Sequence, residues 1–352
     1  MKKILITGAT GFIGSHLAKR LCASGHTVSV LVRNNSDKRN LEGLPVVQIP
    51  GDITDRAAVA RAVSGQDVVF HMAALVAFWV PRDQLSKFHE VNVEGSKNVF
   101  DACLDAGTSK VIYTSTLSSI GSFGAHDLTT EDHSFNMWDM SMEYERSKLN
   151  AEFEAWRYCA RGLPLVALLP SAPVGAKDIK PAPAGQLIID FLNGRIPVYM
   201  DGGANFLHVD DAARAHELAM EKGKVGERYL IGGQNISIRE LFDAIENLTG
   251  VRGPRIKAPA SVAVAYAGLL EWVANNITGK APLLTVPMTK FSSLHYYLDT
   301  TLAQRDLGYQ PEKSLELAVL EAIEWFEGQG YLALKSKVRQ TVYSGLQAAG
   351  AA

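Results

Sequence analysis

The sequence predicts an α/β fold, a doubly wound parallel sheet covered on both faces by helices, with a smaller, mainly helical lobe toward the C-terminus. Three observations carry this expectation. Short apolar, partly β-branched runs alternate with helical periods from Ile4 to Leu169, as strands buried on both faces require. Gly8, Gly11 and Gly14 punctuate the passage from the first strand to the first helix at spacing G-x-x-G-x-x-G. From Gln234 onward the pattern turns helical.

Composition narrows the class. The 352 residues suffice for one large domain or two lobes, and a net charge of −2 offers no footprint for nucleic acid. Cys22, Cys103 and Cys159 are isolated and lack metal or redox spacing, so they read as buried thiols in a reducing compartment, and no metal site is expected. The N-terminus reads as strand, with no signal-peptide run, and no stretch reaches membrane-span length. A cytoplasmic protein is the expectation.

Taken in order, Ile4–Ile6 is the first strand, and Phe12, Ile13 and Leu17 begin a helix after the glycine turn. In a dinucleotide-binding turn, the first glycine permits the bend, the next lets backbone approach a pyrophosphate, and the third lets helix and strand pack closely. The helix N-terminus then offers unpaired N–H groups to phosphate. Thr27–Val32 is a second strand ending at Arg33. An acid there would suit an adenosine ribose and an arginine suits a 2′-phosphate, so with Ser36, Lys38 and Arg39 behind it NADP(H) is favoured. NAD(H) with a solvated basic loop is the alternative. Val46–Ile49 is a third strand; Asp52 behind it can accept from an adenine amino group while Ile53 packs on the ring.

Asp67–Phe70 is a fourth strand, and the small residues Ala73 and Ala74 allow close approach of a cofactor, with His71 read as a packed histidine. A long helix over Leu85–Ala106 carries Asn92, and Lys110–Ser115 is a fifth strand ending in a hydroxyl-rich segment, Thr114 to Ser119. Tyr144 and Lys148 follow at i and i+4, one turn apart on one helix face. An ammonium beside a phenol favours the phenolate, which would bring an ordinary pKa of about 10 toward neutrality. The same lysine can reach ribose hydroxyls.

TGATGFIG, GDI, HMAA, TST and YERSK, in this order, resemble the extended short-chain dehydrogenase/reductase superfamily over Met1 to about Tyr309. NFLHVDDAARAH and GERYLIGG look most like its dihydroflavonol-4-reductase and 3β-hydroxysteroid dehydrogenase branch, nearest to bacterial members labelled hopanoid-associated sugar epimerases. The resemblance implies a Rossmann-type domain over 1–170, with 207–233 returning to it, a substrate lobe over 171–206 and 234–335, and a tail over 336–352. It implies Tyr144 as general acid/base, Lys148 as its ribose-binding partner, Thr116 as the hydroxyl on the substrate oxygen, and Asn92 as the orderer of a relay water. Cofactor contacts are implied at Gly8, Thr10, Gly11, Phe12, Ile13, Gly14, Arg33, Asp52, Ile53, Ala73, Ala74 and Thr114. Tyr144 and Lys148 also meet the cofactor, and Pro170 and Ser171, after a sixth strand, hold its carboxamide. It further implies a homodimer through the Asn92 and Tyr144 helices.

One departure bears on substrate. Sugar-nucleotide members carry an arginine that grips phosphate where this chain has Ala204. Phe78, Trp79 and Val80, Phe135, Met137, Trp138, Met140 and Met142, and Phe206 instead suit a hydrophobic small molecule, or form core beneath a long loop. The expected function is thus NADP(H)-dependent hydride transfer to or from a hydrophobic carbonyl or alcohol. The alternative is an NAD-dependent nucleotide-sugar epimerase or dehydratase. Asp210 and Asp211 read as helix-start residues. Pro259–Thr278, an apolar helix, reads as lobe packing, with a membrane-surface position as the alternative.

Overall fold

The computed structural model describes the chain except residues 78, 79, 139–141, 280, 281, 283, 284, 351 and 352. Strands β1 (Lys3–Thr7), β2 (Thr27–Val32), β3 (Val47–Pro50), β4 (Val68–His71), β5 (Lys110–Thr114) and β6 (Leu165–Pro170) come first. The short β7 (Ala172–Val174), β8 (Val198–Tyr199) and β9 (Gly203–His208) follow, then β10 (Arg228–Ile231), β11 (Gln234–Ser237), β12 (Ile256–Lys257) and β13 (His295–Tyr296). Seven strands form one parallel sheet in the order β10-β6-β5-β4-β1-β2-β3. The order reverses at β1, and such a switch point opens a crevice at the carboxyl ends of β1 and β4.

Alternation along β1 explains its double burial. Ile4 and Ile6 join one core layer with Leu17 and Leu21 of α1 (Phe12–Ala23). Leu5 joins the other with Val59 of α2 (Arg56–Val63). Where the sequence predicts one helix over Leu85–Ala106, the chain instead runs from α3 (Ser86–Phe88) through a π-helical turn, His89–Glu94, into α4 (Gly95–Asp105). Then come α5 (Glu143–Ala160), α6 (Pro183–Leu192) and α7 (Val209–Lys222).

A second layer is organised around β9, which pairs with β7, β11 and β13. It packs beneath α6, α8 (Ile238–Thr249), α12 (Leu315–Gly328) and α13 (Ser336–Ala348); α9 (Ala260–Val273), α10 (Val286–Phe291) and α11 (Thr301–Leu307) intervene in the chain. Residues 336–348, read from sequence as tail, are a docked helix: Val342 and Leu346 are 0% and 4% exposed against the second core. Val338, Val342 and Leu346 recur every four residues, which gives that helix one apolar face. α7 starts where the sequence places it, with Asp210 and Asp211 in its first turn, but neither is the cap. His208 is its cap, accepting from the Asp210 N–H at 3.0 Å, while Asp210 bonds His16 of α1 and Lys313 (2.6 Å). Asp211 accepts from the Glu312 and Lys313 amides at 3.1 and 3.0 Å, so both carboxylates tie the segment before α12 to the sheet domain.

α9 departs furthest from expectation. Its composition is that of a packed helix, yet only Ala267 is buried along its length. The lobe-packing reading fails there because the neighbouring chain meets one edge of the helix, through α10, and leaves its large side chains outside.

Candidate active site

The glycine turn at the end of β1 is built for close approach. Gly8 sits at φ +82°, and a Cβ there would lie 2.7 Å from the Ala73 amide nitrogen. A Cβ on Gly14 would strike the Gly8 carbonyl oxygen, so helix and strand can touch only without side chains. α1 starts at Phe12 with Gly11 as its cap, no side-chain cap and no acid in its first turn. Its first N–H groups therefore remain available to an anion. Thr10, Phe12 and Ile13 are half-buried around this turn. Below it, Thr7 Oγ1 bonds His71 Nδ1 (2.8 Å) and accepts from the Ala73 N–H (3.3 Å), while His71 Nε2 bonds Ser96 Oγ (2.9 Å). Burial pulls the His71 pKa down to about 3, and the charge of Lys148 adds to the shift. His71 is thus a neutral structural post.

At the other end of the crevice Arg33 and Asp52 approach to 3.9 Å and, with Asn34, Asn35 and Gly51, line a cavity of about 260 Å³. Asp52 Oδ1 also accepts from the Thr54 N–H and hydroxyl at 2.9 Å, which stops β3 in a turn. Ile53 departs from its expected place on an adenine ring. It is 5% exposed, wedged against Gly95 of α4, where a Cβ would come within 2.8 Å of its Cδ1.

Two strands from Gly8, at the same sheet edge, β5 ends at Thr114, with Ser115 and Thr116 following, and α5 packs on the turn beyond them. Thr116 caps the short turn Leu117–Ser119 and hydrogen-bonds the Tyr144 hydroxyl. Lys148, 4% exposed, donates to the Thr114 carbonyl at 2.7 Å and stands 4.6 Å from the centre of the Tyr113 ring. Burial, with help from the neighbouring Glu145 charge, pushes the Tyr144 phenol up to about 12, against the bond from Thr116. Burial pulls Lys148 down to about 8, opposed by Glu152. The direction at Tyr144 is opposite to the one the sequence suggests, because removal from water dominates while Lys148 is turned to the Thr114 carbonyl. Tyr144 holds its proton at neutral pH.

Glu152 is the residue the sequence reading missed. It is 2% exposed and accepts from Ser115 Oγ, from Ser119 Oγ at 2.7 Å and from Arg228 Nη1 at 3.0 Å. It thus fixes the hydroxyl-rich strand end from below. The signal was present: Tyr144, Lys148 and Glu152 lie at i, i+4 and i+8, one face of one helix. Glu145 is also buried; its Oε2 accepts from the Met142 N–H at 2.6 Å, and burial raises it to about 7.

Asn92 stands in the π-helical turn. Its Oδ1 accepts from the Leu75 N–H at 2.7 Å, and its Nδ2 donates to the Leu75 carbonyl (3.0 Å) and Ser147 Oγ (2.8 Å). These bonds clamp the loop after β4 to the Tyr144 helix. Pro170 ends β6, Ala74 is half-buried after β4, and Ser171 Oγ donates to Asn205 Oδ1 at 2.7 Å, joining the crevice to β9.

The substrate candidates divide. Phe135 packs on the first core and meets Trp138 edge-on at 4.8 Å, with Trp138 60% exposed. Met137 accepts from the Tyr296 hydroxyl at 3.0 Å, and Tyr296 stacks on Phe291 of α10 at 4.1 Å. Phe206 is a correction: it is 3% exposed inside the second core, because its position on β9 turns it into the lobe. Phe78, Trp79 and Met140 lie outside the described residues. Among the described residues no cluster of three potential metal ligands occurs, and no helix is long and apolar enough to cross a membrane.

A glycine cradle and a Thr-Tyr-Lys set on one edge of a parallel sheet define an NAD(P)-dependent oxidoreductase of the short-chain type. The chain belongs to the NAD-dependent epimerase/dehydratase family, whose model matches residues 4–232. It is 32% identical to a Synechocystis protein named as a dihydroflavonol 4-reductase, over 93% of this chain and 95% of that one. It is also 32% identical to the 2-alkyl-3-oxoalkanoate reductase of Stenotrophomonas maltophilia, over 89% and 96%. Among solved structures, gox2253 superposes with a TM-score of 0.83 at 36% identity, covering 95% of this chain and all of that one. MoeE5 in complex with UDP-glucose and NAD superposes at 0.73 with 27% identity, over 93% and 99%.

Proposed function

We propose that the protein is an NADP(H)-dependent carbonyl reductase, or the reverse alcohol dehydrogenase, for a hydrophobic substrate of aromatic, terpenoid or acyl type. The observation that carries this reading is Ala204, a methyl group between Ile236 and Tyr296 on the flanking strands, where a nucleotide-sugar enzyme needs a cation. Behind it lies an aromatic and sulfur-bearing cluster, Tyr296, Phe291 and Met137, in which Tyr296 and Met137 are buried core. The reductase names of the relatives support the same class. Arg33 beside Asp52, with no acid at the end of β2, supports NADP(H) over NAD(H).

The residues fit the cofactor. The space Gly8 and Gly14 leave empty and the open N–H groups of α1 suit a diphosphate, Ala73 and Ala74 its neighbouring ribose, and Pro170 and Ser171 a carboxamide. When bound, the nicotinamide exchanges a hydride with the substrate carbon. The chain's own part is proton and orientation chemistry. Tyr144, protonated at neutral pH, donates to the oxygen as it gains charge; Thr116 donates a second hydrogen bond; Lys148 supplies positive charge from the same helix face.

The test is NADPH consumption against a panel of aryl, steroid and 3-oxoacyl carbonyls. Turnover with at least one, reduced about 10²–10⁴-fold by Tyr144→Phe, is expected. No turnover, together with co-purified NAD and interconversion of UDP-sugars, overturns the reading. It includes a homodimer through α4 and α5, where Phe153 is 52% exposed. A monomeric wild type in light scattering would remove that part.

A further inference from the structure

We propose that α9 and the segment around it form a docking surface for an anionic lipid bilayer, holding the protein on the membrane as a peripheral enzyme. Ser261 and Glu271 are the only polar side chains between Ala260 and Val273, the composition of a helix buried on all sides. Yet Val262, Tyr266, Leu269 and Trp272 are 62%, 52%, 57% and 58% exposed, and Ile277 just beyond is 67% exposed. Val262, Tyr266 and Leu269 fall at i, i+4 and i+7, one stripe, with Trp272 at its flank. Ile256, 66% exposed on β12, adds an apolar group just before the helix. A contiguous apolar face of this kind on a soluble chain marks an interaction site.

Charge selects the occupant. From 251 to 298 the chain carries Arg252, Arg255, Lys257, Lys280 and Lys290 against one acid, Glu271, in a protein whose net charge is −2. Arg252, Arg255 and Lys257 are exposed at the foot of α9. Arg255 and Lys257 are each paired with one carboxylate, Glu246 and Asp201. An apolar stripe bearing Trp and Tyr, set in a basic segment, is the pattern of a helix lying in the interface of a negatively charged membrane. The helix that bears the face is also linked by packing to the core under the crevice. α9 packs on α10, whose Phe291 stacks on Tyr296, and Tyr296 bonds Met137 beside the catalytic helix. These contacts are buried, so they couple the docking face mechanically to the core beneath the reactive edge.

The binding claim stands apart from the substrate reading and is tested without substrate. Full-length protein with NADPH is sedimented with vesicles of phosphatidylcholine, alone or with about 30% phosphatidylglycerol, at roughly 50 mM salt. Binding to the anionic vesicles is expected, with loss of at least about tenfold in Leu269→Glu/Trp272→Glu. Arg252→Gln/Lys290→Gln should weaken anionic binding roughly thirtyfold and leave binding to neutral vesicles unchanged. Unchanged melting curves exclude misfolding, since the substituted groups of the first variant are exposed. Wild type that does not sediment with anionic vesicles overturns the proposal. So does a double variant that binds as wild type does, or one that splits a wild-type oligomer, which would make the occupant a second copy.

Discussion

Glu152→Gln isolates the electrostatics beneath the Tyr144 helix. The Glu152 carboxylate is buried one turn beyond Lys148 on the same face, and it is what opposes the fall of the lysine pKa to about 8. At the 5–6 Å typical of side chains one turn apart, with an effective dielectric constant of about 20, unit charges interact by about 3 kcal/mol. That is about two pKa units. The amide can keep bonds from Ser115 and Ser119, and Arg228 retains the Glu131 and His133 carbonyls at 2.5 and 2.9 Å. Lys148 in the variant should therefore titrate near about 6. A lysine is charged below its pKa, so activity that needs the ammonium is present at low pH and is lost as pH rises through that value. The assay is kcat/KM for NADPH-dependent carbonyl reduction from pH 5 to 9, which reports groups of the free enzyme. The descending limb should move from near pH 8 to near pH 6. A limb that stays in place, in a variant that melts as wild type does, refutes the coupling.

Other perturbations probe the remaining parts. Gly8→Ala places a Cβ against Ala73 at a φ of +82°. It should destabilise the protein by more than about 1 kcal/mol and abolish saturable NADPH binding in fluorescence titration; normal binding would remove the cradle from the cofactor site. Arg33→Ala should raise the NADPH Kd about tenfold to a hundredfold while leaving that for NADH unchanged; an equal change in both would assign Arg33 no part in phosphate selection. Leu346→Ala, at a 4% exposed position of α13, should cost about 2–5 kcal/mol in chemical denaturation. An unchanged midpoint would mean that α13 contributes nothing to the fold.

What could be read before the structure was local in sequence. Gly8 to Gly14, Thr114 to Thr116 and Tyr144 with Lys148 each sit within one turn or one strand end, where spacing alone decides which groups share a face. Residues whose meaning depends on distant partners were not legible. Asn92 finds its partners at Leu75 and Ser147, and Phe206 turns inward because β9 lies between β7 and β11. Ile53 is claimed by Gly95 on a helix 42 positions later in the chain. Tyr144 was misjudged in sign since sequence reveals the neighbouring cation but not the loss of water around it. α9 misled most: hydrophobicity reports that a side chain avoids water and is silent on what replaces it.

The π-helical turn at His89–Glu94 has a lasting effect on how this chain can vary. Such a turn holds one residue more than the α-helix it interrupts. Because the extra residue is taken up inside the bulge, excising one residue there would restore regular α-helical winding and leave the flanking turns on the faces they already have. Asn92 lies inside the bulge, so its bonds to Leu75 and Ser147 are what that rewinding would disturb. The length of this stretch is thus restrained by the tether between the loop after β4 and the Tyr144 helix, while the faces of α3 and α4 are indifferent to it.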